Sequence, residues 1–279
     1  MLNFIDLHTH STASDGSDTP FQLAEKAKSQ GIQIFALTDH DTVSGVEQLS
    51  ENLPEGISFV SGIEFSCRMR SGKCHILGYN CNTANQIFKD ALNQGAALRR
   101  AKLEKRIEFL CDEGYSFPDE ELEKIRQMPS AGKPHLGNLM VKYGYAKDRK
   151  TAINDIINRC RTESSRIFAE IAMNAILASG GIPVWAHPMG GEGEKETRLE
   201  QFTIMLDELL AYGLKGLECY YSKYPLALCD KLAKTANENN LLISGGSDYH
   251  GRNKSISLGT LNAEGQGTVR EKITILDAL

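Results

Sequence analysis

The stretch Ile32-Gln33-Ile34-Phe35-Ala36-Leu37-Thr38-Asp39-His40-Asp41 decides the fold. Its first six residues are nearly all apolar, the pattern of a strand buried on both faces, and such strands belong to parallel sheets covered by helices. The apolar run stops at Thr38-Asp39-His40-Asp41, so the strand delivers a polar cluster at its C-terminal end. Just upstream, Thr19-Pro20 reads as a helix cap followed by proline in the first turn, and Gly31 closes that helix. A helix feeding a strand that ends in ionisable side chains is one unit of an α/β fold.

The unit recurs along the chain. Residues 3–7 predict a strand ending at His8-Thr9-His10, and residues 57–63 one ending at Glu64. Residues 74–79 predict a strand with His75 near its start, and residues 182–186 one ending at His187. Residues 216–219 end near Glu218 and Tyr220, and residues 241–243 run into Ser244-Gly245-Gly246-Ser247-Asp248. Helical segments fill most of the gaps. In one of them Ile167, Ile171 and Ala175 share a face, and Gly180-Gly181 stops it. This alternation implies a mainly parallel sheet. Polar residues behind successive strands point to one shared rim, as in barrels whose post-strand loops build the site. An open doubly wound sheet also satisfies the alternation. The barrel is preferred because a ring lets side chains from many strands converge.

Between residues 83 and 166 the rhythm changes. Leu98, Lys102, Leu103, Ile107 and Leu110 predict one long amphipathic helix. Shorter helical stretches follow over 119–127, 136–143 and 149–158, with no clear strand between them. The expected organisation is a barrel from residues 1–82 and 167–279, with a helical insertion, 83–166, covering the site.

A chain of 279 residues can bury a large core. A net charge of −5 argues against a general nucleic-acid binder or a membrane-surface protein. The seven cysteines include no CxxC pair, which speaks against a disulfide framework and for a reducing cytoplasm. The first residues have neither a basic region nor a long apolar run, so they do not read as a signal peptide. No stretch approaches the ~20 apolar residues of a membrane span.

The chemistry gathers in the polar clusters, which hold all seven histidines. On an extended backbone His8 and His10 point the same way, which suits two imidazoles on one cation. Asp6 reads as a supporting residue. Asp15, in Ser14-Asp15-Gly16, reads alone as a turn-former, but beside the histidine pair it reads as a ligand. Asp18 stays with the helix cap. His40 reads as a ligand, with Asp39 and Asp41 placed to orient its ring. Glu64 closes an apolar strand, where a glutamate is rare unless paired, and its two oxygens can bridge two cations. Asp248 and His250 repeat the period-two spacing, His187 ends its own strand, and Gly245-Gly246 permits close backbone approach. His75 and His135, each taken alone, fit core packing or surface placement equally well and gain weight only from the ensemble. The donor set is rich in nitrogen and oxygen and has no paired thiolates, which favours Zn, Mn or Fe.

The chain resembles the PHP (polymerase and histidinol phosphatase) family. The matching residues are Asp6-Leu7-His8-Thr9-His10-Ser11, Ser14-Asp15-Gly16, Thr38-Asp39-His40-Asp41, Gly62-Ile63-Glu64, His75-Ile76-Leu77-Gly78, Ala186-His187-Pro188 and Gly246-Ser247-Asp248-Tyr249-His250-Gly251. The motifs stand in the family's order over nearly the whole chain. The resemblance implies a distorted (β/α)7 barrel with a helical insertion and three divalent metal ions. His8, His10, Glu64 and Asp248 would hold the first ion, Asp15, His40 and His250 the second, and Glu64, His75 and His187 the third.

The insertion resembles that of the small bacterial branch acting on phosphorylated nucleosides and riboses, in which Lys133-Pro134-His135 sits where a basic residue near a histidine is common. The implied reaction is hydrolysis of a small phosphorylated ribose or nucleotide. Examples are a nucleoside 3',5'-bisphosphate, AMP, or a cyclic ribose phosphate such as phosphoribosyl 1,2-cyclic phosphate. A hydroxide bridging two metals would attack phosphorus. His135 would protonate the leaving oxygen or hold the phosphate. Lys133, Arg161 and Arg166 are candidates for a second phosphate, although each alone reads as a solvated surface charge. The competing readings are an exonuclease on short oligonucleotides, a histidinol-phosphate phosphatase and, last, a non-catalytic metal-binding regulator. A cytoplasmic enzyme with a small phosphorylated substrate, and without membrane or stable nucleic-acid partners, is the expectation.

Overall fold

The computed structural model describes residues 4–128, 131–268 and 270–279. The strands are β1 Ile5–Asp6, β2 Ile34–Leu37, β3 Ser58–Arg68, β4 Lys73–Tyr79, β5 Ile167–Phe168, β6 Ile182–Ala186, β7 Gly216–Tyr221 and β8 Leu242–Gly246. The Asn3 end of the first predicted strand lies outside the described residues. The helices are α1 Pro20–Ser29, α2 Ser44–Glu51, α3 Gln86–Asp112, α4 Asp119–Arg126, α5 Lys133–Lys142, α6 Arg149–Thr151, α7 Ala169–Ala178, α8 Leu199–Ala211 and α9 Leu226–Glu238.

The strands pair in the order β1-β2-β3-β4-β6-β7-β8, with β5 alongside the far end of β3. The last strand returns to the first. Leu7 N–H donates to Gly245 O at 3.2 Å, and beyond the strand ends Asp248 N–H donates to His8 O at 2.8 Å and His10 N–H to Tyr249 O at 2.9 Å. The ring of seven strands is therefore nearly closed, an α/β barrel distorted at one place. β4 runs antiparallel to both β3 and β6, whereas the other pairs are parallel. The sheet is thus mainly parallel, as expected, and β4 is the exception among the described strands. The cause is the short connection between Arg68 and Lys73, closed by Met69 N–H donating to Gly72 O at 2.7 Å. Four residues make a hairpin and cannot make the crossover that a parallel neighbour requires. Nor does β3 stop at Glu64, since the hairpin carries it on to Arg68.

The local signals behave as their chemistry dictates. Thr19 accepts from Gln22 N–H and Gln22 reaches back to Thr19 N–H, a reciprocal cap ahead of Pro20. The buried face of α1, Leu23, Ala24 and Ala27, packs with Phe35 and Leu37 of β2. Ile167 belongs to β5 rather than to a helix; of the expected Ile167/Ile171/Ala175 face α7 buries Ala175, together with Ala169, Ala172, Met173 and Ile176, and leaves Ile171 half-buried.

The chain forms two compact units, Met1–Ala91 with Ile167–Leu279, and Leu92–Arg166. The first is the barrel. The second is helical and has its own core, in which Leu103, Ile107 and Leu110 of α3 meet Leu122, Leu136 and Met140. Among the described residues no helix is long and apolar enough to cross a membrane.

Candidate metal centre

The rim where the parallel strands end is also where antiparallel β4 begins, so His75 near the start of β4 joins side chains that follow the other strands. His8 and His10 are fully buried, and their Nε2 atoms lie 3.1 Å apart. Thr9 between them turns the opposite way, its hydroxyl donating to Ala36 O at 2.6 Å. Glu64 sits at the middle of the cluster and uses both oxygens. Oε2 lies 3.2 Å from His8 Nε2, 3.2 Å from His10 Nε2 and 3.0 Å from His40 Nδ1. Oε1 lies 2.8 Å from His75 Nδ1 and 3.1 Å from His187 Nε2. Asp248 Oδ1 faces His10 Nε2 at 3.3 Å, and Asp15 Oδ1 faces His250 Nε2 at 3.1 Å.

Four overlapping sets of donors each fall within 4.8 Å: His8, His10, Glu64 and Asp248; His10, Asp15, His40 and His250; His40, Glu64 and His75; and His75, His187 and Glu194. His10 Nδ1, Glu64 Oε2 and His250 Nε2 are buried yet make no hydrogen bond, although Asp15 stands 3.9 Å from the first, His40 Nδ1 3.0 Å from the second and Asp15 3.1 Å from the third. Buried polar atoms left in that condition, all nitrogen or carboxylate oxygen, fit divalent cations.

The electrostatics are those of a site built for cations. Burial pushes the Glu64 carboxyl up, but His40, His8 and His75 overcome it and hold it well below its ordinary range. Asp248 is depressed likewise, against burial, by Lys254 and His10. Burial also works to lower His187, yet Glu194 and Glu64 raise it to about 10. His250 is pushed down to about 4 by burial and by neighbouring His10.

Supporting residues fix the backbone around the donors. Asp39 accepts from Ser11 N–H (2.8 Å), Ser11 Oγ (2.7 Å) and Ser14 Oγ (2.6 Å), so it braces the loop that carries Asp15. Asp41 accepts from Ser66 N–H at 2.8 Å. The flanking aspartates thus tie neighbouring segments together. A Cβ on Gly246 would stand 2.3 Å from His8 Cβ, so only glycine lets β8 pass the first histidine.

Three functional candidates escaped the reading of the sequence. Glu218 holds His8 Nδ1 at 2.9 Å and accepts from His187 N–H at 2.6 Å. Its signal was a glutamate inside an apolar strand. Glu194 meets His187 Nδ1 at 3.2 Å, and Lys254 donates to Asp248 Oδ2 at 2.9 Å. Neither carries a spacing signal. A cavity of about 170 Å³ opens beside the cluster, lined among others by His40, His75, His187, Glu194, Asp248 and Lys254.

Lys133, His135, Arg161 and Arg166 belong to the helical unit. There His135 Nδ1 accepts from Gly132 N–H at 3.2 Å at the start of α5. Lys133 Nζ is hydrogen-bonded to Asn158 Oδ1, Arg161 is exposed, and Arg166 N–H donates to Ser164 Oγ at 3.2 Å.

A nearly closed α/β barrel whose rim gathers imidazoles and carboxylates without thiolates defines a class of metal-dependent hydrolases. Residues 6–126 match the PHP domain. The chain is 31% identical over 257 residues to the phosphoribosyl 1,2-cyclic phosphate 1,2-diphosphodiesterase of Eggerthella lenta, covering 88% of this chain and 94% of that protein. It belongs to the PHP family and is a phosphoric ester hydrolase. It is also 29% identical to a 5'-3' exoribonuclease of Haemophilus influenzae (90% of this chain, 91% of that one). Identity to the 3',5'-nucleoside bisphosphate phosphatase of Chromobacterium violaceum is 27% (88% and 87%). A solved structure assigned as a metal-dependent phosphoesterase from Bifidobacterium adolescentis superposes with a TM-score of 0.79 at 26% identity, covering 98% of this chain and 95% of that one.

Proposed function

We propose that the chain hydrolyses a small phosphorylated ribose or nucleotide, a class that includes nucleoside 3',5'-bisphosphates, AMP and phosphoribosyl 1,2-cyclic phosphate. The observation that carries this reading is the end-to-end similarity to relatives named for such substrates. The cavity supports it. At about 170 Å³ it is smaller than the ~300 Å³ and upward that encloses a whole drug-sized ligand, so it suits a phosphoryl group with the ribose outside.

Three divalent ions, Mn, Zn or Fe, belong to the proposal. His8, His10, Glu64 and Asp248 would hold the first, Asp15, His40 and His250 the second, and Glu64, His75 and His187 the third. Bound there, such ions activate water and neutralise charge on the phosphoryl oxygens. Glu64 divides its two oxygens between the His8/His10 side and the His75/His187 side, which suits a bridging carboxylate. Glu218 keeps His8 turned inward through Nδ1. The reading gives His135 the leaving oxygen or the phosphate, since accepting from Gly132 N–H through Nδ1 puts the ring proton on Nε2. It gives Lys133, Arg161 and Arg166 a second phosphate. A cytoplasmic location rests on the cysteine usage.

The test is a phosphate-release screen over mono-, bis- and cyclic ribose phosphates with manganese or zinc. Release from at least one of them, lost on chelation and restored by metal, is the expected result. Full activity in a metal-free preparation would refute the proposal. The Haemophilus relative favours a second reading, exonucleolytic attack on short oligonucleotides. Competition between a mononucleotide and a short oligomer separates the two.

A further inference from the structure

Asp248 presents Oδ1 to His8 and His10 and turns Oδ2 the other way. Two donors meet Oδ2, the Tyr221 hydroxyl at 3.1 Å and Lys254 Nζ at 2.9 Å. The tyrosine donor brings no charge, whereas the lysine places a full positive charge at the edge of the cluster. A fixed ammonium beside a cluster that gathers divalent cations repels them, and most strongly where water is scarce. The Lys254 side chain is only 23% exposed.

The position of the lysine is fixed. The next residue, Ser255, donates through Oγ to Glu192 Oε1 at 2.8 Å, which anchors the loop after β8. Lys254 lines the same cavity as His40, His75 and His187. One of its three N–H groups is on Asp248, and no other hydrogen bond to it is found among the described residues. A half-buried cation with donors to give, facing a cavity walled by metal-type ligands, is offset by an anion that binds between them.

We propose that Lys254 binds a non-bridging oxygen of the phosphoryl group that enters this cavity, and so of the phosphate product as well. The proposal rests on the phosphoesterase reading and names a phosphate contact supplied by the barrel itself, distinct from the basic residues of the helical unit. Lysine serves here as a point charge, which a phosphoryl oxygen accepts without demanding planar, two-pronged geometry.

The experiment measures the Kd of inorganic phosphate by calorimetry on the manganese-loaded protein, alongside its metal content. Lys254→Gln keeps an N–H for Asp248 and removes the charge. It is expected to raise the phosphate Kd about tenfold, the loss of one charge-assisted hydrogen bond, with manganese content unchanged or higher. Lys254→Arg restores the charge and is expected to bind within about threefold of the wild type. Tyr221→Phe removes the other donor to Asp248 Oδ2 while keeping the lysine charge, and is expected to raise the phosphate Kd clearly less than Lys254→Gln does. An unchanged Kd in Lys254→Gln overturns the proposal, as does an equal rise in Tyr221→Phe, which would trace the effect to Asp248. Turnover of phosphoesters by the wild type is read separately, so failure of the enzymatic reading does not pass for failure of the lysine contact.

Discussion

At the scale of single residues, the site depends on carboxylates that touch histidines from outside. Glu218 serves two of them, the His8 ring through one oxygen and the His187 backbone through the other. Groups that orient a metal-binding imidazole typically influence metal affinity ~10–100-fold. Glu218→Gln is expected to weaken manganese binding by about that factor, measured by titration against a competing chelator. An unchanged affinity with an intact circular dichroism spectrum would deny Glu218 this role. The thiols make a second test. Burial pushes Cys81 up to about 11, which leaves it a neutral thiol at pH 8, whereas Cys111 is exposed. Iodoacetamide at that pH is expected to modify Cys111 well before Cys81, read by peptide mass spectrometry. The histidine donors were legible in the sequence because they close apolar runs at short, regular spacings. Glu194, Glu218 and Lys254 were not, because their partners lie far away in the chain or beyond any spacing rule.

At the scale of elements, the strand ends hold the donors at some local strain. His187 and Asp248 adopt positive φ, 27° and 60°, where side-chain-bearing residues are uncommon. Such backbone persists only where the surroundings over-determine it. Asp6 is part of that constraint. Fully buried on β1, it accepts from His8 N–H, from Ser247 N–H and Oγ, and from Gly259 N–H, so it ties the first strand to the segments after the last. Asp6→Ala would leave several buried donors without an acceptor. A loss of about 3 kcal/mol or more is expected in urea unfolding of the metal-free protein, since each stranded donor costs ~1–3 kcal/mol. A loss below about 0.5 kcal/mol, the level of ordinary surface changes, would show that barrel closure does not rest on this residue.

At the scale of the whole molecule, the barrel gathers imidazoles and carboxylates into one cluster, where Glu194 and Glu64 raise His187 to about 10 against burial. Cations bind only the deprotonated ligands, so metal uptake at pH 7.5 is expected to release protons. Calorimetric enthalpies should therefore vary with the ionisation heat of the buffer, and affinity should rise with pH. Binding that favours the folded chain also stabilises it, by ~2.7 kcal/mol per site at a hundredfold excess over Kd. Saturating manganese is thus expected to raise the unfolding midpoint, and a chelator to reverse the rise. A midpoint indifferent to both would remove the metal from the account.

The chain's local chemistry determined the strand–helix rhythm, the change of rhythm near residue 83, and which side chains stand where apolar runs end. These follow from periodicity, caps and burial, which act over a few residues. Tertiary structure alone decided the reversed direction of β4, the return of β8 to β1, and the meeting of Glu64 with five histidines from four other segments. It also decided the second ring of contacts around the donors. Ring closure and direct touch join residues up to 253 positions apart, as between Asp6 and Gly259, and no spacing along the chain encodes them. Only folding, by excluding water from one shared volume, brings those charges close enough to matter.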